Sequence, residues 1–172
     1  MKKSKIADMV IFAMLGTILF ISKIIMEFLP NIHPIAMFIA VYTLVYRAKA
    51  LIPIYVYVLM LGVYYGFNMW WIPYLYIWTF IWAFIMLIPK NASFKVKGIL
   101  STLFCGLHGI LFGTLYAPAQ AIIFGLNFNG MIAWIIAGLP WDVVHMCGNI
   151  AMSVLVIPLY KLLFKLEERR II

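Results

Sequence analysis

Three polar side chains share one face of an apolar segment near the end of the chain. Residues 138–149 read GLPWDVVHMCGN, and Asp142, His145 and Asn149 stand at positions i, i+3 and i+7. Side chains at this spacing project from the same side of a helix. Polar groups within a segment that is apolar enough to span a membrane cost free energy, and such groups commonly mark a binding site or a transport pathway. This polar triplet is the first candidate for chemistry.

The triplet suits molecular recognition better than metal binding or proton transfer. Asp142 and His145 offer a cation two ligands, and a third would have to come from His33 or His108, so no metal site is predicted. A proton relay through the same pair would need a second acidic residue deeper in the membrane, and the sequence offers none there. The alternative to a ligand site is a set of interhelical hydrogen bonds in which Asp142, just after a proline turn, caps its own helix.

No catalytic or energising motif accompanies the triplet. The sequence contains no GxxxxGK[ST] phosphate loop, no GxSxG nucleophile turn and no HExxH zinc motif. We therefore expect a chain that is not an enzyme, binds no cofactor and does not itself hydrolyse ATP.

The composition is that of a polytopic membrane protein. Hydrophobic residues make up 67% of the 172 positions and charged residues only 10%. A soluble domain of this size could not bury so much apolar surface. Apolar segments of about 20 residues, the length that crosses a bilayer, recur along the chain. We predict an all-α fold with a single integral membrane domain over residues 1–172.

The net charge of +8 indicates membrane orientation and contact with lipid, and not nucleic-acid binding. Basic residues flank the apolar segments on the side predicted to be cytoplasmic. Lys23 and Glu27 instead lie four residues apart near the far end of the first segment. An ion pair between them is expected, with a contact to a charged ligand as the alternative.

Six transmembrane helices with both termini in the cytoplasm fit the charge pattern. A seventh span would move the basic C-terminal tail to the non-basic side. A turn at 127–130 and a short outer helix are expected before the last span. The six spans are predicted at residues 6–26, 35–46, 51–65, 71–88, 98–116 and 140–164.

The loops at 27–34, 66–73 and 127–142 would then meet at the outer face and form a ligand pocket. Aromatic side chains can bury a small molecule there while amides, a carboxylate and a histidine orient it. For the tryptophans of the second loop, a place in the interfacial aromatic belt is the alternative. His108 is expected to be a packed histidine. The predicted substrate-binding residues are Asn31, His33, Trp70, Trp71, Tyr74, Trp78, Asn127, Asn129, Trp141, Asp142, His145 and Asn149.

The whole chain resembles the S components of energy-coupling factor transporters, the substrate-binding membrane subunits of prokaryotic vitamin importers. The sharpest similarity is residues 138–149, which fit the pattern GxP[FW]DxxHxxxN at the start of the last helix in one branch of that family. The resemblance implies a multi-pass protein of the prokaryotic plasma membrane. It also implies two kinds of partner, a membrane coupling subunit and two cytoplasmic ATPases, with toppling of the S component to release its ligand inward.

In that family a small-residue AxxxA face on the first helix contacts the coupling subunit. The nearest match here is Ala13-Met-Leu-Gly16-Thr17, with threonine in the second place. Ala36 and Ala40 offer a second small face. The predicted docking residues are Ala13, Gly16, Thr17, Ala36 and Ala40.

The vitamin is expected to be cobalamin, because the outer aromatics are large and the resembling branch includes cobalamin importers. Folate, pantothenate, riboflavin and a thiamine precursor remain alternatives. Outside transport by this mechanism, the alternatives are a small membrane enzyme, a ligand-free structural subunit and a self-sufficient secondary carrier.

Overall fold

The computed structural model describes residues 5–171, so residues 1–4 of the predicted basic tail and the last residue lie outside it. The described chain is all-helical, which confirms the predicted fold class. Two 3-10 turns, Arg47–Ala50 and Met69–Trp71, join some of the helices. The α-helices are α1 (Lys5–Ile25), α2 (Ile35–Tyr46), α3 (Leu51–Tyr65), α4 (Tyr74–Met86), α5 (Phe94–Ile110), α6 (Phe112–Phe124), α7 (Phe128–Ser153) and α8 (Val156–Ile171).

Within residues 5–171, five helical stretches are long and apolar enough to cross a membrane, so six separate spans are not confirmed. One of them, Ile35–Tyr65, is folded in its middle, because Arg47 has a positive φ of 54° that ends α2. With 12 residues, α2 rises only about 18 Å, well short of the roughly 30 Å of a hydrocarbon core. The five stretches are Lys5–Ile25, Ile35–Tyr65, Met69–Met86, Phe94–Phe124 and Phe128–Ser153.

Basic side chains gather at one end of the bundle, here called the basic end. Arg47 donates to the carbonyl oxygens of Met86 and Ile88 at 2.6 and 3.1 Å, so the turn after α2 is bound to the end of α4. Arg170 near the end of α8 pairs with Asp8 at the start of α1 at 2.7 Å. The two ends of the described chain therefore lie together.

The second helix, α2, is the centre of the core. It packs against α4, α8, α5 and α7, and nine of its twelve residues are buried. Ala36 and Ala40 are both completely buried among them. These two alanines cannot form the second docking face that the sequence suggested, because no partner can reach them.

The fifth to seventh helices form a long antiparallel hairpin, which corrects the prediction for residues 117–164. The turn is Gly125–Asn127 and not 127–130, there is no separate short outer helix, and the last span begins at Phe128 and not at Pro140. Pro140 lies inside α7. A proline is tolerated within a transmembrane helix where neighbouring helices compensate for the lost hydrogen bond.

Local chemistry explains where the hairpin turns. Gly125 adopts the left-handed conformation with φ of 65°, which ends α6 without steric cost. The side chain of Asn127 accepts a hydrogen bond from the Gly130 backbone N–H at 2.8 Å, so this residue is the N-cap of α7. Helix α7 then ends at Ser153, and the predicted span to residue 164 is divided between α7 and α8.

Glycines bring the two arms of the hairpin into direct backbone contact. A Cβ atom placed on Gly109 would lie 2.6 Å from the Met146 Cα atom and 2.9 Å from the His145 carbonyl carbon. The two arms therefore pack tightly at this glycine. This contact also fixes which residues of α7 lie beside each turn of α5 and α6.

Candidate functional site

The polar triplet projects from one face of α7 and is buried, as its spacing predicts. Asp142, His145 and Asn149 are 5%, 1% and 1% exposed, whereas their neighbours Trp141, Val143 and Val144 are exposed. The buried face points at α5 and α6, the other arm of the hairpin.

Asp142 caps a neighbouring helix and not its own. Both carboxylate oxygens lie 3.1 Å from the Gly113 backbone nitrogen, in the first turn of α6. This N–H has no intrahelical partner, since α6 begins at Phe112. Asp142 is itself fifteen residues into a helix that starts at Phe128, so the alternative in which it caps its own helix is wrong. The interhelical hydrogen bonds of that alternative do form.

Asn149 makes a second polar link across the hairpin. Its side-chain Nδ2 donates to the Cys105 carbonyl oxygen at 3.1 Å. Its Oδ1 is buried and has no hydrogen-bond partner. The amide therefore joins α7 to α5 and still presents one unused acceptor.

His145 brings together the only three histidines of the sequence. Its ring centroid lies 5.0 Å from that of His33, which precedes α2, and 6.2 Å from that of His108 on α5. The exposed fractions of these histidines are 7% for His33, 0% for His108 and 1% for His145. Three separate parts of the chain thus converge on one point.

Aromatic rings enclose the histidines. Trp78 lies 6.1 Å from His33 and 5.5 Å from His108 between ring centroids, and Phe112 lies 4.8 Å from His145. We call these five residues, His33, Trp78, His108, Phe112 and His145, the histidine cluster.

The cluster contains polar atoms that nothing in the described chain satisfies. A buried donor or acceptor without a partner costs about 1–3 kcal/mol, so several in one place require a physical reason. A ligand or ordered water that bonds to them would remove this cost. The unpartnered buried atoms in or beside the cluster are His33 Nδ1, Tyr57 Oη, Trp78 Nε1, His108 Nδ1, His145 Nε2 and Asn149 Oδ1.

The protonation of two histidines follows from their surroundings. His108 Nε2 lies 3.2 Å from the Ile77 carbonyl oxygen, so this nitrogen carries the proton and Nδ1 is left as an acceptor. Burial, and next the positive charge of Lys23, lower the pKa of His33 to about 3. His33 is therefore neutral at physiological pH. Among residues 5–171 no three His, Cys, Asp or Glu side chains are placed to hold a metal ion.

A cleft opens beside the cluster at the end of the bundle opposite the basic end. It encloses about 310 Å³ and is lined by Lys23, Glu27, Leu61, Tyr65, Trp70 and Tyr74; we call it the Lys23 cleft. The ring of Tyr74 lies 5.7 Å from that of Trp78, so one aromatic contact separates the cleft from the histidine cluster.

The expected ion pair between Lys23 and Glu27 does not form. Glu27 Oε1 instead accepts a hydrogen bond from the Tyr65 hydroxyl at 2.7 Å. Within the described chain, Lys23 has no ion-pair or hydrogen-bond partner. Lys23 therefore lines the cleft without a partner among the described residues.

The other predicted ligand residues divide into two groups. Trp70 lines the cleft. Trp71 donates a hydrogen bond from Nε1 to the Val58 carbonyl oxygen at 2.8 Å. Asn31 stands in a turn with a positive φ of 58°. Three further residues are exposed and stay away from both the cleft and the cluster: Asn127, Asn129 and Trp141.

One member of the cluster, Phe112, was not predicted from the sequence. The prediction that His108 is a packed histidine is confirmed, because its ring is 0% exposed and lies 3.2 Å from the Ile77 carbonyl oxygen. Phe112 and His108 both lie on the arm of the hairpin that faces the triplet. The sequence contains a signal for this contact, because Gly109, beside His108, lets α7 approach α5 closely.

Comparison with known protein families, with curated proteins and with solved structures found no match for this chain.

Proposed function

We propose that this chain is the substrate-binding subunit of a vitamin importer of the energy-coupling factor type. The observation that carries the proposal is the convergence of three buried histidine rings, each with one unpartnered nitrogen, beside an aromatic cleft. Apolar walls that bury a ligand and a few polar atoms that orient it are the features of a small-molecule site.

The orientation follows from the distribution of charge. Basic residues bound to the ends of α4 and α1 support a cytoplasmic position for the basic end and an outer position for the Lys23 cleft. The pair between Asp8 and Arg170 brings the start of α1 and the end of α8 to the same end. This pairing supports an even number of crossings. We propose the six-span topology, in which α2 and α3 are two short crossings.

The volume of the cleft supports a choice among the candidate vitamins. The cleft encloses about 310 Å³, close to the lower limit of about 300–1,000 Å³ for ligand pockets. We propose a compact ligand in place of cobalamin, because a cobalamin molecule is larger than this cleft. Compact vitamins and precursors fit better.

Energy would come from a coupling subunit and two cytoplasmic ATPases. The docking surface for the coupling subunit is a groove on α1 of about 410 Å³, lined by Val10, Ala13, Met14, Thr17 and Ile18. Gly16 does not belong to it, because this residue is buried against Val56 of α3. Of the predicted docking residues, Ala13 and Thr17 therefore remain.

The decisive experiment is to purify the chain from a prokaryotic host and identify any bound small molecule by mass spectrometry. We expect a vitamin or precursor at close to one molecule per chain. Purified protein that binds no vitamin would contradict the proposal, and so would turnover of a bound compound, which indicates a membrane enzyme. Uptake into vesicles that needs an ion gradient but no ATPase would indicate a secondary carrier.

A further inference from the structure

Lys23 is out of place with respect to every other basic residue that the structure describes. The sequence has thirteen Lys and Arg residues, of which two precede the described range. Ten of the remaining eleven lie in the turn after α2, in the loop before α5, near the start of α1 or of α5, or within α8. These segments form the basic end. Lys23 alone lies at the opposite end of the bundle.

A basic residue there is disfavoured by the rule that orients membrane proteins, so its presence needs a reason. A structural ion pair is not the reason, because Glu27 is engaged by Tyr65 and Lys23 has no partner in residues 5–171. The Lys23 side chain is half-buried in the cleft and is not extended into open water. It lies close enough to His33 for its charge to act on that ring.

The wall opposite the lysine is aromatic. Trp70 lies edge-to-face with Tyr65 at 5.9 Å and with Tyr74 at 5.5 Å between ring centroids. A ligand in the cleft would therefore meet an apolar surface along its body and one ammonium group at its end. Glu27 also lines the cleft, but its carboxylate accepts a hydrogen bond from the Tyr65 hydroxyl and forms no ion pair with the lysine.

We infer that the Lys23 cleft binds a compact vitamin-class carboxylate, whose anionic group pairs with the Lys23 ammonium while its body lies against Trp70 and Tyr74. This inference rests on the proposed function and makes it more specific. Among the alternatives, it favours carboxylates such as pantothenate over riboflavin and the pyrimidine precursor of thiamine, which carry no carboxylate.

The test is a calorimetric titration of the full-length protein with matched pairs of probes. Each pair joins a carboxylate to its neutral analogue: pantothenate with panthenol, nicotinate with nicotinamide, and biotin with biotinamide. Riboflavin, aminohydroxymethylpyrimidine and cobalamin complete the panel. We expect at least one carboxylate to bind tenfold or more tightly than its neutral analogue.

Variants assign this preference to the lysine. Lys23→Gln should weaken binding of the preferred carboxylate about tenfold and leave the neutral analogue unchanged, while Lys23→Arg should keep most of the affinity. Lys90→Gln, at the basic end, is the matched control and should change nothing. Thermal unfolding of each variant shows that the fold is retained.

The possible results separate the inference from the proposed function. Equal binding of both members of every pair, tightest binding of a probe without a carboxylate, or an unaffected Lys23→Gln variant would overturn the inference alone. A Lys23→Gln variant that loses only bound phosphatidylglycerol, detected by native mass spectrometry, would also overturn it, since the partner would be a lipid headgroup. Failure of every probe to bind would overturn the proposed function and the inference together.

Discussion

The Asp142 carboxylate on α7 accepts the Gly113 backbone N–H of α6 with each oxygen at 3.1 Å. A side chain from one arm of the hairpin thereby caps a helix in the other arm. The cap stands one helical turn from His145, so it also holds that ring beside Phe112 and His108. Asp142 is in this way a positioning residue for the site.

Removing this cap should destabilise the protein more than it weakens binding. For Asp142→Ala we expect a loss of about 1–2 kcal/mol, the usual cost of an N-cap, and for Asp142→Asn a smaller loss because an amide oxygen can still accept. The measurement is unfolding in detergent followed by tryptophan fluorescence. Unchanged stability with complete loss of ligand binding would instead make Asp142 a direct ligand contact.

The close contact of the hairpin arms predicts opposite effects for two glycines. Gly109→Ala should destabilise by about 1–3 kcal/mol, because its Cβ would meet the Met146 backbone. Gly138→Ala is the matched control in α7, where a Cβ would meet nothing within 4 Å, and should stabilise by about 0.5–1 kcal/mol. Equal unfolding midpoints for the two variants would disprove the tight contact.

The unpartnered nitrogen of His145 predicts a loss of binding without a loss of fold. His145→Phe keeps a ring against Phe112 and His33 but removes Nε2. For a ligand that reaches the cluster from the Lys23 cleft, we expect at least a tenfold loss of affinity, since one buried hydrogen bond contributes about 1.5 kcal/mol; a ligand confined to the cleft should bind this variant unchanged. The control is Trp141→Phe, which changes an exposed neighbour and should leave the dissociation constant unaltered. Full ligand retention by His145→Phe would argue against the cluster as the site.

Buried neutral His33 predicts that stability falls in acid. The unfolded chain takes up a proton near pH 6.5, whereas burial lowers the pKa of His33 in the folded protein to about 3. Between these values the unfolded state binds more protons, so stability falls as the pH is lowered, by up to about 1.4 kcal/mol per pH unit. It should not change above pH 7 on account of this residue. Unfolding midpoints between pH 5 and 8 should vary less for His33→Phe, and an unaltered slope would contradict the assignment.

The docking groove on α1 can be blocked without touching the ligand site. Ala13→Leu combined with Thr17→Leu should fill the groove and prevent assembly with the coupling subunit. We expect loss of ATP-dependent uptake in reconstituted vesicles with ligand affinity unchanged. Val63→Leu, on the exposed face of α3, is the control and should transport normally. Normal transport by the double variant would place the docking surface elsewhere.

Helical periodicity correctly predicted that the triplet shares one face, because periodicity depends on a single helix and not on what packs against it. Asp142, His145 and Asn149 share a buried face whatever that helix packs against. The start of the same helix was misplaced, since Pro140 and Gly138 are ordinary helix breakers in water. Inside a bundle, packing against α5 and α6 outweighs those local preferences.

Composition and charge by themselves predicted an all-helical chain, stretches long and apolar enough to span a membrane, and basic residues at one end. They could do so because hydrophobicity and charge act on each segment independently of its neighbours. Only the tertiary structure decided that His33, His108 and His145 meet, that Asp142 caps α6 and that Lys23 and Glu27 remain apart. These are contacts between parts of the chain distant in sequence. They depend on which faces pack together and how closely, and glycines such as Gly109 set that distance through backbone contact.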